Sequence, residues 1–254
     1  MPRAVILGCS HALGDEMEQE PGLVNGGQMQ GRHWGPRNSY PVLVARALGY
    51  TPENHAISGG SNDAMFRIFK SQFQFEPGAR HQYQCRLTDL DIVIACWTGI
   101  NRSEIWHDQE QQWITLDAGI GRFYRMAPDS VRLQGYPAGP AIANEADYLS
   151  YLKSWIRLGT CDSQGRLNKI KNILALNALA AESGVPVINI DSFYSVDRIR
   201  WPESLIWPAD LDFIRFAEQH NYPRTSWGHY YRAAHAAYAD HILDRLKGGS
   251  CLGL

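Results

Sequence analysis

Near the start of the chain the stretch "AVILGCSHALGD" (4–15) runs from an apolar segment into Gly8, Cys9, Ser10 and His11, with a second glycine at Gly14. A serine on a sharp, glycine-flanked turn after a strand can present its Oγ as a nucleophile. The same serine also fits an ordinary helix cap. To attack an acyl carbon, Ser10 needs a base and donors for the developing oxyanion. Three later segments hold residues of those types. "NHAISGGSND" (54–63) brings Gly59 and Gly60, and a Gly59 N–H can point at an oxyanion; a glycine turn ahead of a Ser61 cap is the bland alternative. "WTGINRSE" (97–104) holds Asn101, whose side-chain amide donates without titrating. "SWGHYYRAAHAAYAD" (226–240) places His229 at the mouth of a predicted helix and His235 inside it. A lone histidine there also suits a capping or surface role. Six residues at roughly 100° each put the two imidazoles on different helix faces, which makes them poor co-ligands for a metal.

The elements that must position these residues follow from the hydrophobic pattern. "RAVILG" (3–8), "DIVIACW" (91–97) and "VPVINID" (185–191) are almost continuously apolar, as strands covered on both faces are. "ENHAIS" (53–58) is a weaker strand candidate. Helical patterns lie between them at 39–49, 61–73, 146–159, 167–184 and 228–249, several opening at a serine cap and most closing at glycine. Strands alternating with helices predict an α/β fold: a three-layer α/β/α domain around a flavodoxin-like parallel sheet of about five strands. Ligands in such sheets sit beyond the C-terminal ends of the strands, which is where Ser10, Gly59 and Asn101 fall. The whole chain, 1–254, reads as a single domain with insertions near 14–38 and 107–145, and 198–213 reads as a further loop marked by Trp and Pro.

Composition narrows the function classes. Lys plus Arg number 24 and Asp plus Glu 26, a net charge of −2, so no basic field argues for nucleic acid or a membrane surface. The apolar runs are far shorter than the roughly 20 residues of a membrane span. The N-terminus lacks a signal-peptide pattern, which implies a cytoplasmic protein, or a virion-associated one if phage-encoded. The five cysteines, Cys9, Cys85, Cys96, Cys161 and Cys251, are widely spaced and odd in number, so they read as reduced thiols with Cys96 buried in a strand. H-E-x-x-H, P-loop, G-x-G-x-x-G and G-x-S-x-G motifs are all missing, which leaves no support for a zinc protease, a nucleotide fold or an ordinary α/β-hydrolase.

The order Ser, Gly, Asn, His, with three of the four after strands, resembles the SGNH hydrolase family, also called GDSL esterases. The family's G-D-S-L block corresponds to Gly8-Cys9-Ser10-His11, its second-block glycine to Gly59, its G-x-N-D block to Gly99-Ile100-Asn101-Arg102, and its histidine block to the stretch from Ser226 to His235. "GCSHALG" with "N-x-A-x-x-G-G-S-N" is similar to divergent members common in bacteria and phages. The resemblance implies a cofactor-free and metal-free serine esterase acting on a small-molecule or glycan ester, with O-acetyl groups on a glycan as one such substrate. Ser10 is then the nucleophile and His229 its base. The Ser10 and Gly59 N–H groups and the Asn101 side chain form the oxyanion hole.

Three departures bear on that assignment. Ser226 replaces the acid three residues before the histidine; a serine can orient an imidazole but not stabilise its cation. That leaves a Ser–His dyad, or a triad whose acid comes from elsewhere, with Asp191, Asp210 and Asp212 as the acids to consider. Cys9 replaces the first-block aspartate and is a rival nucleophile. Arg102 replaces the third-block aspartate and offers a cation to an anionic substrate. A non-catalytic binding or structural module on the same fold, such as a virion component, and an acyltransferase using the same serine are the competing readings. A homo-oligomer or a virion assembly remains open on the side of partners.

Overall fold

The computed structural model describes residues 1–14, 17, 37–75, 83–107, 112–117, 150, 154, 162–193, 206–207, 212–225 and 228–248. In chain order the elements are β1 (Arg3–Leu7), α1 (Ser10–Leu13), α2 (Tyr40–Ala47), β2 (Thr51–Asn54), α3 (Asn62–Lys70), β3 (Phe73–Phe75), β4 (Tyr83–Cys85) and β5 (Ile92–Trp97). They continue with β6 (Arg102–His107), β7 (Gln112–Asp117), α4 (Asp162–Glu182), β8 (Val187–Asp191), α5 (Phe213–Gln219) and α6 (Arg232–Gly248). Four strands form one parallel sheet in the order β2-β1-β5-β8, the order of a flavodoxin-like fold.

The apolar runs are continuous because both faces of this sheet are covered. Side chains alternate between faces along a strand. Ala4 and Ile6 of β1, Ile92, Ile94 and Cys96 of β5 and Ile188 and Ile190 of β8 share one core with α2, α5 and α6. Val5 and Leu7, Val93, Ala95 and Trp97, and Val187 face the opposite core, made with α3 and α4. Register aligns Ile6 with Ile94 and Ile94 with Ile188, so one row of isoleucines crosses three strands. Burying each such side chain contributes about 1.5–3 kcal/mol. The helices therefore lie in two layers around the sheet.

Several boundaries differ from the sequence reading. The second strand is Thr51–Asn54, at the start of the 53–58 segment and before it. The fifth strand position is held by one parallel bridge, Ile188 to Ile206, with Asn189 N–H donating to Ile206 O at 3.0 Å. Pro202 and Pro208 flank Ile206 in the sequence and have no N–H for a ladder. The long α4 begins at Asp162, earlier than the predicted 167. Helix α5 follows directly on the Trp- and Pro-marked loop, capped by the Asp212 side chain, which accepts from Arg215 N–H. The antiparallel pair β6–β7 extends into the stretch read as an insertion at 107–145, and β3–β4 is a further two-stranded pair. Of the predicted helix at 146–159, all but residues 150 and 154 lie outside the described residues. So do most of the 14–38 and 107–145 insertions, together with Cys161 and Cys251. No helix among the described residues is long and apolar enough to cross a membrane.

At the N-terminal end of the sheet, Asp91 ties β1 to the start of β5. Its carboxylate accepts from Arg3 N–H at 2.8 Å, from Arg3 Nη2 at 3.0 Å and from Thr88 N–H at 2.9 Å. Burial alone would raise its pKa; these hydrogen bonds and the Arg3 charge outweigh it and hold the carboxyl at about 2, below the ordinary 3.8. A carboxyl depressed on folding stabilises the fold above its unfolded pKa, and the contribution is lost as pH falls toward the folded value. Denaturation midpoints measured from pH 5 downward should therefore fall between about pH 4 and pH 2, and Asp91→Asn should flatten that part of the curve.

Candidate active site

Gly8 is where the chain leaves β1, and its hydrogen is all the space allows. A Cβ there would lie 2.4 Å from Ala12 Cβ and 3.0 Å from Cys96 Cβ. The turn is consequently tight, and the one-turn helix α1 starts two residues later. Cys9, not Ser10, occupies the N-cap position, in extended conformation and without a side-chain cap bond. Ser10 is the first helical residue and is 4% exposed. Leu13 and Gly14 close the turn by donating to Cys9 O and Ser10 O, each at 2.9 Å, with Gly14 left-handed at φ 82°. N–H groups in the first turn of a helix have no intrahelical acceptor, so the Ser10 N–H suits an incoming oxyanion. Cys9, the rival nucleophile, is completely buried.

The Gly59–Gly60 turn packs against the same strand end. His55 N–H donates to Ile6 O at 2.9 Å and Ile57 N–H to Gly8 O at 3.0 Å, which carries the β2 chain alongside β1 past its last residue. Gly59 is left-handed at φ 70°. A Cβ at Gly60 would meet Ile57 O at 2.9 Å and Gly8 O at 3.1 Å. Ser61 then caps α3, its Oγ accepting from Ala64 N–H at 3.0 Å. The cap role predicted for Ser61 and the close approach of the glycine turn thus coexist.

Asn62, the last residue of the N-x-A-x-x-G-G-S-N stretch, fastens the next loop. It is buried; its Oδ1 accepts from Thr98 N–H at 2.9 Å and its Nδ2 donates to Thr98 O and Gly99 O at 3.3 Å. That clamp sets the course of the chain from β5 into Asn101. Asn101 is exposed on the turn before β6, with its Oδ1 folded back so that a Cβ at Gly99 would come within 2.7 Å of it. Arg102 donates to Thr98 Oγ1 at 3.3 Å and lies 5.4 Å over the Phe193 ring.

His229 is presented by a short hairpin. Arg224 and Tyr230 form an antiparallel bridge, Thr225 N–H donates to His229 O at 2.8 Å, and His229 N–H donates to Thr225 Oγ1 at 3.1 Å. Gly228 turns the chain at φ 88°. Arg224 donates to Tyr230 Oη at 2.7 Å, stacks on that ring at 5.0 Å and pairs with Glu218. The buried Tyr230 anchors the hairpin against Phe213, at 5.5 Å between centroids. The outcome is an edge-on contact between the His229 and His11 rings, 4.9 Å between centroids at 63°. Among the described residues, the contacts of the neighbouring His11 with His229 and, at 6.4 Å, with Tyr230 join the segment of Ser10 to that of His229.

The acids considered for a triad have other work. Asp191, at the end of β8, meets the buried Lys169 Nζ at 2.5 Å, and burial raises its pKa against that attraction. Asp212 caps α5 and pairs with Arg215 Nε at 3.5 Å. Asp210 and Ser226 lie outside the described residues. His235 is buried; its Nδ1 accepts from Tyr40 N–H at 3.2 Å, and burial, then the neighbouring His229, bring its pKa down to about 3. It is neutral at ordinary pH. Cys96 is buried, as its strand position predicts, and burial pushes its thiol pKa up. Among the described residues no group of three or more His, Cys, Asp or Glu could hold a metal ion.

No family model matches the sequence, and no curated protein matches it. Among solved structures the chain is similar to a family two carbohydrate esterase from Cellvibrio japonicus, at 14% identity and a TM-score of 0.37. That alignment covers 98% of this chain and 61% of the esterase, so the chain spans about three fifths of the length of that structure.

The turn before Ser10 leaves no room for a methyl group. Gly8→Ala should destabilise the protein by about 1–3 kcal/mol through overpacking, read as a lower midpoint in chemical denaturation. An unchanged midpoint would reject the close packing of Gly8 on Ala12 and Cys96.

Proposed function

We propose that this chain is an SGNH-type serine esterase that hydrolyses a small-molecule or glycan ester, O-acetyl groups on a glycan being one such substrate. The observation that carries the reading is the convergence at one edge of the sheet. The Gly59–Gly60 turn touches the Gly8 backbone, and the His229 hairpin packs against His11, so both flank the turn that begins at Ser10. Phe193 links Arg102, next to Asn101, to the same ring.

In this reading Ser10 Oγ attacks the ester carbonyl carbon and gives its proton to His229. The Ser10 and Gly59 N–H groups and the Asn101 amide hold the tetrahedral oxyanion. His229 returns the proton to the leaving alcohol as the C–O bond breaks, leaving an acyl group on Ser10. Water, deprotonated by the same imidazole, then releases the acid. No cofactor enters the scheme.

A second reading, a non-catalytic binding module on this fold, draws support from one observation. Asp191 is engaged by Lys169 and Asp212 by Arg215, structural pairings that a binding module would keep as readily as an enzyme. A serine-directed fluorophosphonate separates the two. It should label the intact protein and fail on Ser10→Ala. Asn101→Ala, at an exposed position, should lower hydrolysis of an acetyl ester by about 10²–10³ with little change in thermal midpoint. Folded wild-type protein that takes no label would discard the esterase in favour of the binding module.

A further inference from the structure

The two candidate oxyanion donors outside the Ser10 turn sit on loops of different origin. The Gly59–Gly60 turn is tied to β1 by backbone, since Ile57 N–H donates to Gly8 O at 3.0 Å. Asn101 follows β5 on a loop that leaves the parallel sheet after Trp97 and enters β6, a strand of a separate two-stranded sheet. Asn62 spans the two loops. It stands three residues after Gly59, and the backbone it grips, Thr98 and Gly99, ends two residues before Asn101. Asn62 is 2% exposed; its Oδ1 accepts from Thr98 N–H at 2.9 Å, and its Nδ2 donates to Thr98 O and Gly99 O, each at 3.3 Å. An acceptor facing an N–H and an NH₂ facing two carbonyls admit a single orientation of that amide.

We propose that Asn62 is a positioning residue of the oxyanion hole: it fixes the Thr98–Gly99 backbone relative to the Gly59 turn, and with it the place of the Asn101 amide relative to the Gly59 N–H. This rests on the esterase reading for its consequence; the three hydrogen bonds stand without it. Two donors on separate loops stabilise one developing charge only if both are aimed before the reaction begins. The Gly59 side is held on Gly8, the residue through which the chain leaves β1 toward Ser10. Asn62 opens α3 directly behind the Ser61 cap, so the cap and the helix hold its backbone, and its amide carries that position across to the next loop. Gly99 is the last link. A Cβ there would come within 2.7 Å of Asn101 Oδ1, so the glycine lets the Asn101 carboxamide lie against the backbone that Asn62 grips.

A clamp that only stabilises the fold predicts a different pattern. Its removal would cost the same rate whether or not the Asn101 amide is present. A positioning residue acts through Asn101, so its effect on rate should vanish once that amide has gone. Members of one network couple in this way, and a double-mutant cycle isolates the coupling. The loss should also fall on kcat rather than KM, because the negative charge develops only on the way to the tetrahedral intermediate.

The test uses the intact chain, with p-nitrophenyl acetate and a fluorophosphonate as probes. Asn62→Ala removes all three bonds; Asn62→Asp keeps the shape and the acceptor for Thr98 N–H but loses both donors. Each should lower kcat and the labelling rate of Ser10 at least about tenfold, short of the ~10²–10³ lost when an oxyanion donor itself is removed, while KM holds. In an Asn101→Ala background the same substitutions should change either rate less than about twofold. Equal losses in the two backgrounds, or wild-type rates in Asn62→Asp, would overturn the proposal. NMR with ¹⁵N-labelled asparagine adds a readout that needs no activity: the Asn101 side-chain amide signals should move in Asn62→Asp, and unmoved signals would also overturn it. A wild-type protein that takes no label fails the esterase reading alone, and the Asn101 signals still decide whether Asn62 places that amide. Should neither variant fold, hydrogen exchange in the wild-type protein decides: Thr98 N–H should be protected, and exchange at the rate of an open amide would reject the clamp.

Discussion

Both faces of the parallel sheet must be buried, and the rest of the molecule depends on that. Strands in such a sheet cannot reverse through hairpins; each returns through a helix, so every strand delivers its C-terminal end to the same edge. β1 lies between β2 and β5 in register, so the turns at Gly8, Gly59–Gly60 and Thr98–Asn101 leave the sheet side by side. Gly8 is the tightest point of this arrangement. Its backbone receives the Ile57 N–H, lies against Cys96 and sets the start of the helix that opens with Ser10. A bulkier residue there would separate the strand ends that the apolar cores pull together.

Buried polar groups set the details that apolar packing leaves open. Helix α4 docks on the sheet through a polar seam as well as an apolar one. Asn177 and Asn189 exchange amide hydrogen bonds, Trp97 Nε1 donates to Asn189 Oδ1 at 2.9 Å, and Lys169 meets Asp191. Asp63 at the start of α3 accepts from Asn168 and Asn172 of α4 at 2.8 and 2.9 Å and from Ser103 of β6 at 2.9 Å. Hydrogen bonds of this kind have directions and partners, so they fix one register among those the apolar residues would accept. The cost is that the carboxylates become structural. Asp191 ends β8 on the side of the sheet where the candidate site lies, yet it serves Lys169.

The histidines show the same division. His235 is buried with a backbone donor on Nδ1, which makes it part of the packing between α2 and α6. His229 is half-buried on a hairpin held by Thr225, Arg224 and Tyr230. His11 lies between these environments, sealed among rings but with an acceptor left open. One residue type, at three depths, gives a core strut, a candidate base and a neutral neighbour to that base.

The sequence by itself determined three of the four strands of the sheet. "VIL" after Arg3, "IVIACW" and "VINID" read as strands because apolar residues on both alternating faces fit only a doubly covered strand. The α3 cap at Ser61 and the glycine turns were equally readable, since a cap and a left-handed turn are local needs met by local residue types. Helix α5 and the β6–β7 pair were not read, because short elements beside Trp, Pro and charged residues give a weak period. Only the tertiary structure decided which polar side chains meet. That His11 faces His229 across 218 positions of the chain, that Asn62 clamps Thr98, and that Asp191 belongs to Lys169 have no signature in spacing along the chain. Such contacts are set by the packing of layers, which brings together residues whose types, taken one at a time, fit a surface, a cap or a core as well as a site.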